Sequence, residues 1–210
     1  MTEQAPQITK LGPLGQWANN LYLLVDPATN EALIIDAPEG AEEVFDVAKG
    51  TTVKGILITH SHPDHTAGLD ITREFFGAPV YCHPAEPWLD RAKVDEDLED
   101  GRKIPFGGLE LTSVFTPGHT PGSTCFVIGN NLFSGDTLFP GGPGRTRTAD
   151  DLKQEIDSIT TRLHVLDEAT TVHPGHGDNT TIGDSKREYA AFASREHDPD
   201  LHGDVLWAES

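Results

Sequence analysis

Thr59-His60-Ser61-His62-Pro63-Asp64-His65, THSHPDH, closes the apolar run VKGILIT (Val53–Thr59), and its reading decides what the rest of the chain is for. A β-branched run of this length reads as a buried strand. Three imidazoles and one carboxylate crowded against its end make a poor structural loop. Neutral histidine nitrogens and carboxylate oxygens are the ligand types that suit zinc, iron and manganese. Side chains alternate along a strand, so His60 and His62 point the same way. Asp64 and His65 follow a proline-bent turn and face a second point nearby. The heptapeptide therefore offers two ligand pairs.

Further ligands have to come from elsewhere, and the sequence presents them in the same style. His119 lies in TPGHTPG, Asp136 in SGDTLF and His176 in HPGHG. Each follows a strand candidate and is flanked by glycine or proline, which hold a ligand on a tight turn and let backbone approach closely.

Around these clusters the elements read as follows. LYLLV and ALIID are strands on either side of the turn at Asp26–Asn30. Residues 39–49 have helical spacing, Thr66 is placed to cap a helix running to about Phe76, and Gly77-Ala78-Pro79 breaks it before the strand VYC. Residues 84–101, which include DEDLED, read first as an irregular, solvated surface segment and second as a substrate-facing loop. RKIPF, LELTSVF, STCFVIG and NLFSG are four more strands, Asp150–Leu166 is helical, TTV is a short strand, and a last helix covers about residues 184–195. Two runs of strands, each followed by helices, predict an α+β protein with two packed sheets and helices outside them. No linker divides the chain, so residues 1–210 form a single domain, with a core at about 7–195 and a short tail at 196–210.

The formal net charge of −19 repels phosphate backbones and anionic lipid, which argues against nucleic-acid and membrane partners and for a small-molecule substrate. No apolar run is long enough to span a bilayer, and the start, MTEQAPQITKLGPLG, lacks the features of a signal peptide, so a cytoplasmic location is expected. Cys82 and Cys125 lie in apolar strand segments and read as buried thiols. Ser61 and Ser123 read as hydrogen-bonding supports. His83, His164, His173, His197 and His202 fall outside the ligand clusters. Trp88 and Phe139 are candidates for a pocket wall. Arg145 and Arg147 follow Asp136 closely and can receive a carboxylate bidentately.

The order THSHPDH, TPGHTPGS, FSGDTLF, PGHG resembles the metallo-β-lactamase superfamily, and most of all its glyoxalase II-type hydrolases. The resemblance implies a four-layer αββα sandwich with metals at one edge. Carried over residue by residue, it implies a first metal on His60, His62 and His119, a second on Asp64, His65 and His176, and Asp136 bridging both. The implied cofactors are two divalent ions, zinc first, with iron or manganese as alternatives. The implied activity is hydrolysis of a small ester or thioester by a hydroxide generated between them, with Asp64 also orienting the nucleophile. Glyoxalase II itself adds a helical region that binds glutathione, whereas here one helix and a tail follow His176. A lactonase or β-lactamase-like hydrolase stays open within the class. The alternative from another class resembles persulfide dioxygenases, which hold one iron on the equivalents of His60, His119 and Asp136 but usually carry Ala where this chain has Pro63.

Overall fold

The computed structural model describes residues 5–209, so the first four residues and Ser210 lie outside the described part. The chain runs β1 (Gln7–Leu14), β2 (Asn19–Val25), β3 (Glu31–Ile35), α1 (Glu43–Val47), β4 (Thr52–Leu57), α2 (Pro63–Thr66), α3 (Leu69–Phe76), β5 (Val80–Cys82) and β6 (Glu96–Asp97). It continues through β7 (Lys103–Phe106), β8 (Leu109–Phe115), β9 (Thr124–Ile128), β10 (Asn131–Gly135), β11 (Leu138–Phe139) and β12 (Gly142–Pro143). The last elements are α4 (Ala149–Ser158), β13 (Thr171–Pro174), β14 (Thr180–Thr181) and α5 (Ile182–Ala193). One sheet has the order β1-β2-β3-β4-β5-β6, and the other β14-β13-β10-β9-β8-β7.

The central strands read as unbroken apolar runs because both of their faces are covered. In β2 the side chains of Leu21, Leu23 and Val25 pack towards α1 and α3, while Tyr22 and Leu24 point into the space between the sheets. β3 repeats the alternation with Ala32 and Ile34 on the helix side and Leu33 and Ile35 on the other. In β10, Phe133 faces the first sheet, whereas Leu132 joins Val172, Leu152, Ile182 and Phe192 under α4 and α5. Three apolar layers thus cement four structural ones, giving the αββα sandwich in a single domain.

Strand directions gather the ligand motifs. β3, β4 and β5 are parallel neighbours, as are β10 and β13, so the chain leaves β3, β4, β10 and β13 at one edge of the sandwich. The sheets are stitched together there, with Thr124 N–H donating to Thr59 O at 2.9 Å and Asn20 N–H to Gly175 O at 2.7 Å. Among the described residues, no helix is long and apolar enough to cross a membrane.

Three expectations need correction, and one strand is additional. Thr66 does not cap a helix: it ends α2, its hydroxyl donates to His62 O at 3.2 Å, and Gly68 precedes α3 instead. Residues 84–101 are not wholly solvated, because Glu86 is 4% exposed. β1 was not foreseen; it is a mostly exposed edge strand whose polar residues give no apolar alternation. The tail does not stand apart from the core: Trp207 is completely buried with Val205 in the layer under α4 and α5, and Trp207 N–H donates to Gly141 O at 2.8 Å.

Candidate metal centre

His60, His62, Asp64, His65, His119, Asp136 and His176 converge at the stitched edge. The donor atoms of His60, His62 and His119 lie within 4.8 Å of one another, and the same holds for Asp64, His65 and His176 and for His60, His65 and Asp136. His62 Nδ1 is 3.0 Å from His119 Nε2, and His65 Nε2 is 3.1 Å from His176 Nε2. Asp136 stands between the groups: its Oδ2 is 3.9 Å from His60 Nε2, 3.8 Å from His119 Nε2 and 3.4 Å from His176 Nε2, and its Oδ1 is 3.3 Å from His65 Nε2.

The residues fit a divalent cation on an observation independent of motif. His60 Nε2 and Asp136 Oδ1 are buried and have no hydrogen-bond partner. An unsatisfied buried polar atom costs about 1–3 kcal/mol, so two together in one cluster call for a ligand that takes lone pairs from both. Burial holds the His60 ring well below the ordinary histidine range, lowers His62 to about 4 and lowers His119, so all three are neutral donors at neutral pH. His65 and His176 differ. Burial pulls both down, but Asp136 and Asp36 outweigh it at His65, and hydrogen bonds to Asp136 and Asp64 bring His176 up to about 9. Asp64 and Asp136 are held below the usual carboxylate range although burial opposes it, largely by His176 and His65. A divalent cation can replace those protons, since metal binding to such ligands releases them.

Backbone and neighbouring side chains orient the rings. His119 Nδ1 faces Arg145 O at 2.9 Å and His176 Nδ1 faces Trp17 O at 2.9 Å, so each presents Nε2 inward. His65 Nδ1 is 2.9 Å from Asp36 Oδ2, and Asp36 also accepts from Thr59 N–H and Thr59 Oγ1 at 2.8 Å. Asn19 Nδ2 donates to Asp64 Oδ2 at 3.0 Å and lies 3.3 Å from His176 Nε2. Two glycines permit the crowding. A Cβ on Gly175 would lie 2.3 Å from Asp136 Oδ1, and one on Gly144 would lie 1.9 Å from Asp136 O.

Sequence reasoning missed Asp36, Asn19 and Glu86 as supporting residues. Asp36 carried a signal, a lone carboxylate ending the apolar strand ALIID, and Asn19 sits in the polar pair that opens β2. The candidate pocket residues surround the mouth. A cavity of about 540 Å³ is lined by His62, His119, Arg145, Thr146, Arg147 and His202, and one of about 290 Å³ includes His119, Asp136, Phe139, Arg145 and His176. The Arg147 guanidinium lies 4.6 Å from the Trp88 ring, which is 4.8 Å from the His62 ring. Arg145 is exposed and pairs with Asp204 at 3.6 Å. Phe139 flanks His176 at 6.4 Å between ring centroids.

The remaining histidines other than His202 pack elsewhere: His83 stacks on Phe115, His173 on Phe133 and His197 on Phe192, while His164 meets Ser185 Oγ at 2.9 Å. Cys82 and Cys125 are buried free thiols that burial pushes up to about 12 and about 11.

Comparisons with known proteins agree with the fold. The sequence model described as "Metallo-beta-lactamase superfamily" matches residues 14–176. The probable metallo-hydrolase YqgX of Bacillus subtilis is 33% identical over 192 residues, covering 81% of this chain and 90% of its own. The structure of BLEG-1 B3 metallo-β-lactamase superposes with a TM-score of 0.76 at 31% identity, covering 86% of this chain and 97% of that one. The structure of ETHE1 from Myxococcus xanthus gives a TM-score of 0.79 at 28% identity, covering 90% and 86% respectively.

Proposed function

The chain belongs to the metallo-β-lactamase superfamily, and from that premise we propose that it is a two-metal hydrolase of small esters or thioesters, of the glyoxalase II type. The observation that carries the reading is the position of Asp136, within 3.9 Å of His60 on one side and 3.3–3.4 Å of His65 and His176 on the other, with a buried Oδ1 that no protein donor approaches in hydrogen-bonding geometry. In this reading His60, His62 and His119 hold one divalent ion, Asp64, His65 and His176 hold the other, and Asp136 reaches both. Zinc suits this nitrogen and oxygen set, and iron and manganese suit it too. Bound ions supply Lewis acidity, lowering the pKa of water from about 15.7 towards 7 and polarising the scissile carbonyl.

The chain's own groups do the rest. Asp64, its Oδ2 held by Asn19, accepts a hydrogen bond from the attacking water and fixes its direction. Phe139 and Trp88 wall the acyl group. Arg145 and Arg147, at the rim of the larger cavity, attract a carboxylate on the substrate in a molecule whose net charge otherwise repels anions. The substrate is a small, soluble metabolite, consistent with a cytoplasmic enzyme.

The test is turnover of a panel of thioesters, esters, lactones and a β-lactam by the metal-replete protein and by Asp136→Ala. Hydroxyacyl thioester cleavage that falls with both rate and metal content in the variant is expected. A variant with full metal content and full rate would remove Asp136 from the bridging role. Oxygen uptake with a persulfide, together with one equivalent of iron, would replace the hydrolase by a mono-iron oxygenase on His60, His119 and Asp136.

A further inference from the structure

Glu86 lies in the acidic segment after β5, yet it is 4% exposed and its carboxylate is fully engaged. Oε2 accepts from Ser61 N–H and from Ser61 Oγ, each at 2.6 Å. Oε1 accepts from Gly122 N–H at 3.0 Å and from Thr120 Oγ1. Ser61 stands between His60 and His62, and Thr120 follows His119, so one carboxylate ties together the two loops that carry this triad. Gly122 is built for the contact: a Cβ there would lie 2.7 Å from Glu86 Cγ. Ser61 Oγ in turn accepts from Trp88 N–H at 3.1 Å, which extends the network to the pocket wall. None of its hydrogen bonds reaches Asp64, His65 or His176; Asn19 serves Asp64 and His176, while Asp36 holds His65 and, through Thr59 Oγ1, also reaches His60 Nδ1 at 3.1 Å.

We propose that Glu86 is a positioning residue that presets the His60–His62–His119 triad and thereby sets the metal affinity of that position alone. The proposal rests on the reading that the triad holds a metal ion. The physical ground is the geometry of the acceptor: four donors converge on two oxygens, and both backbone donors need a carboxylate oxygen to point at. Glutamine in its place keeps the shape but offers only one oxygen, so Ser61 N–H or Gly122 N–H is left facing an NH2 group. Loss of an outer partner of a metal ligand costs about 10–100-fold in metal affinity, and the loss here should be confined to one position.

The experiment measures zinc affinity by competition with a chromophoric chelator in two backgrounds. His176→Ala keeps the triad intact and weakens the other group; His119→Ala does the reverse. Adding Glu86→Gln should lower zinc affinity about 10–100-fold in the His176→Ala background and leave it within threefold in the His119→Ala background. Equal losses in both backgrounds, with a lowered unfolding temperature, would make Glu86 a general structural residue and overturn the proposal. No loss in either background would also overturn it. Ser61→Ala and Thr120→Val, which delete single side-chain donors, provide milder versions of the same comparison should Glu86→Gln fold poorly. If the His176→Ala protein binds no zinc even with Glu86 present, the two-metal reading itself fails, an outcome distinct from the others.

Discussion

Replacing Gly175 by alanine probes how tightly the backbone of the HPGHG turn is fitted to the metal ligands. The added Cβ would sit 2.3 Å from Asp136 Oδ1, 2.5 Å from His65 Cε1 and 3.3 Å from the Gly135 carbonyl carbon, whereas ordinary contact begins at 3.4 Å. Gly175 itself has little room to retreat. Its N–H donates to Gly135 O at 2.8 Å and its carbonyl accepts from Asn20 N–H at 2.7 Å. The ligands must yield instead, Asp136 by about 1.1 Å and His65 by slightly less. Overpacking of this kind costs about 1–3 kcal/mol, which for a domain of this size lowers the unfolding temperature by roughly 2–12 °C. The larger effect falls on rate. A misplacement of about 1 Å at a catalytic constellation costs on the order of 10²-fold, equivalent to about 2.7 kcal/mol of barrier. The assay is kcat/KM on the best substrate of the panel, with metal content measured on the same sample. Gly129→Ala is the control, since that glycine has φ +53° with nothing within 4 Å of its missing Cβ and lies outside the site. It should lose about 1–2 kcal/mol of stability and no rate. A Gly175→Ala protein with wild-type metal content and a rate within threefold would refute the close-fit argument.

Trp207→Ala empties the layer beneath α4 and α5 of its largest fully buried side chain, and denaturant unfolding should report a loss of about 3–5 kcal/mol; a loss under 1 kcal/mol would return residues 196–210 to the status of a loose tail. His164 and His173 are each lowered to about 4, chiefly by burial. Because the unfolded chain takes up these protons near pH 6.5 and the native one does not, their neutral forms cost nothing above 6.5, and stability declines as pH falls from 6.5 to about 4. Histidine NMR titration of the native protein should place both midpoints near 4; midpoints above 6 would contradict the burial argument.

The candidate metal ligands were legible as a group that converges because each sits in a local signal, a short polar motif fastened to the end of an apolar strand. The pairing within the heptapeptide was legible from the alternation at His60 and His62 and the proline bend before Asp64, whereas the places of His119, Asp136 and His176 came from the family resemblance. Their supports were not legible. Glu86, Asp36 and Asn19 are single polar residues whose meaning depends on contacts 25–45 positions away in the chain, and Glu86 is further disguised by acidic neighbours that really are solvated. β1 escaped for the opposite reason, since an edge strand need not bury either face consistently. Trp207 was passed over because two buried side chains, Val205 and Trp207, in a short polar stretch make too brief a pattern to read.

The most direct test of the account is metal identity and stoichiometry on protein purified without an affinity tag. About two equivalents of zinc, iron or manganese per chain are expected, falling towards one in Asp136→Ala. A single equivalent of iron would contradict the two-metal hydrolase, and a protein that neither carries metal nor takes it up on reconstitution would contradict any reading in which these seven side chains hold a metal.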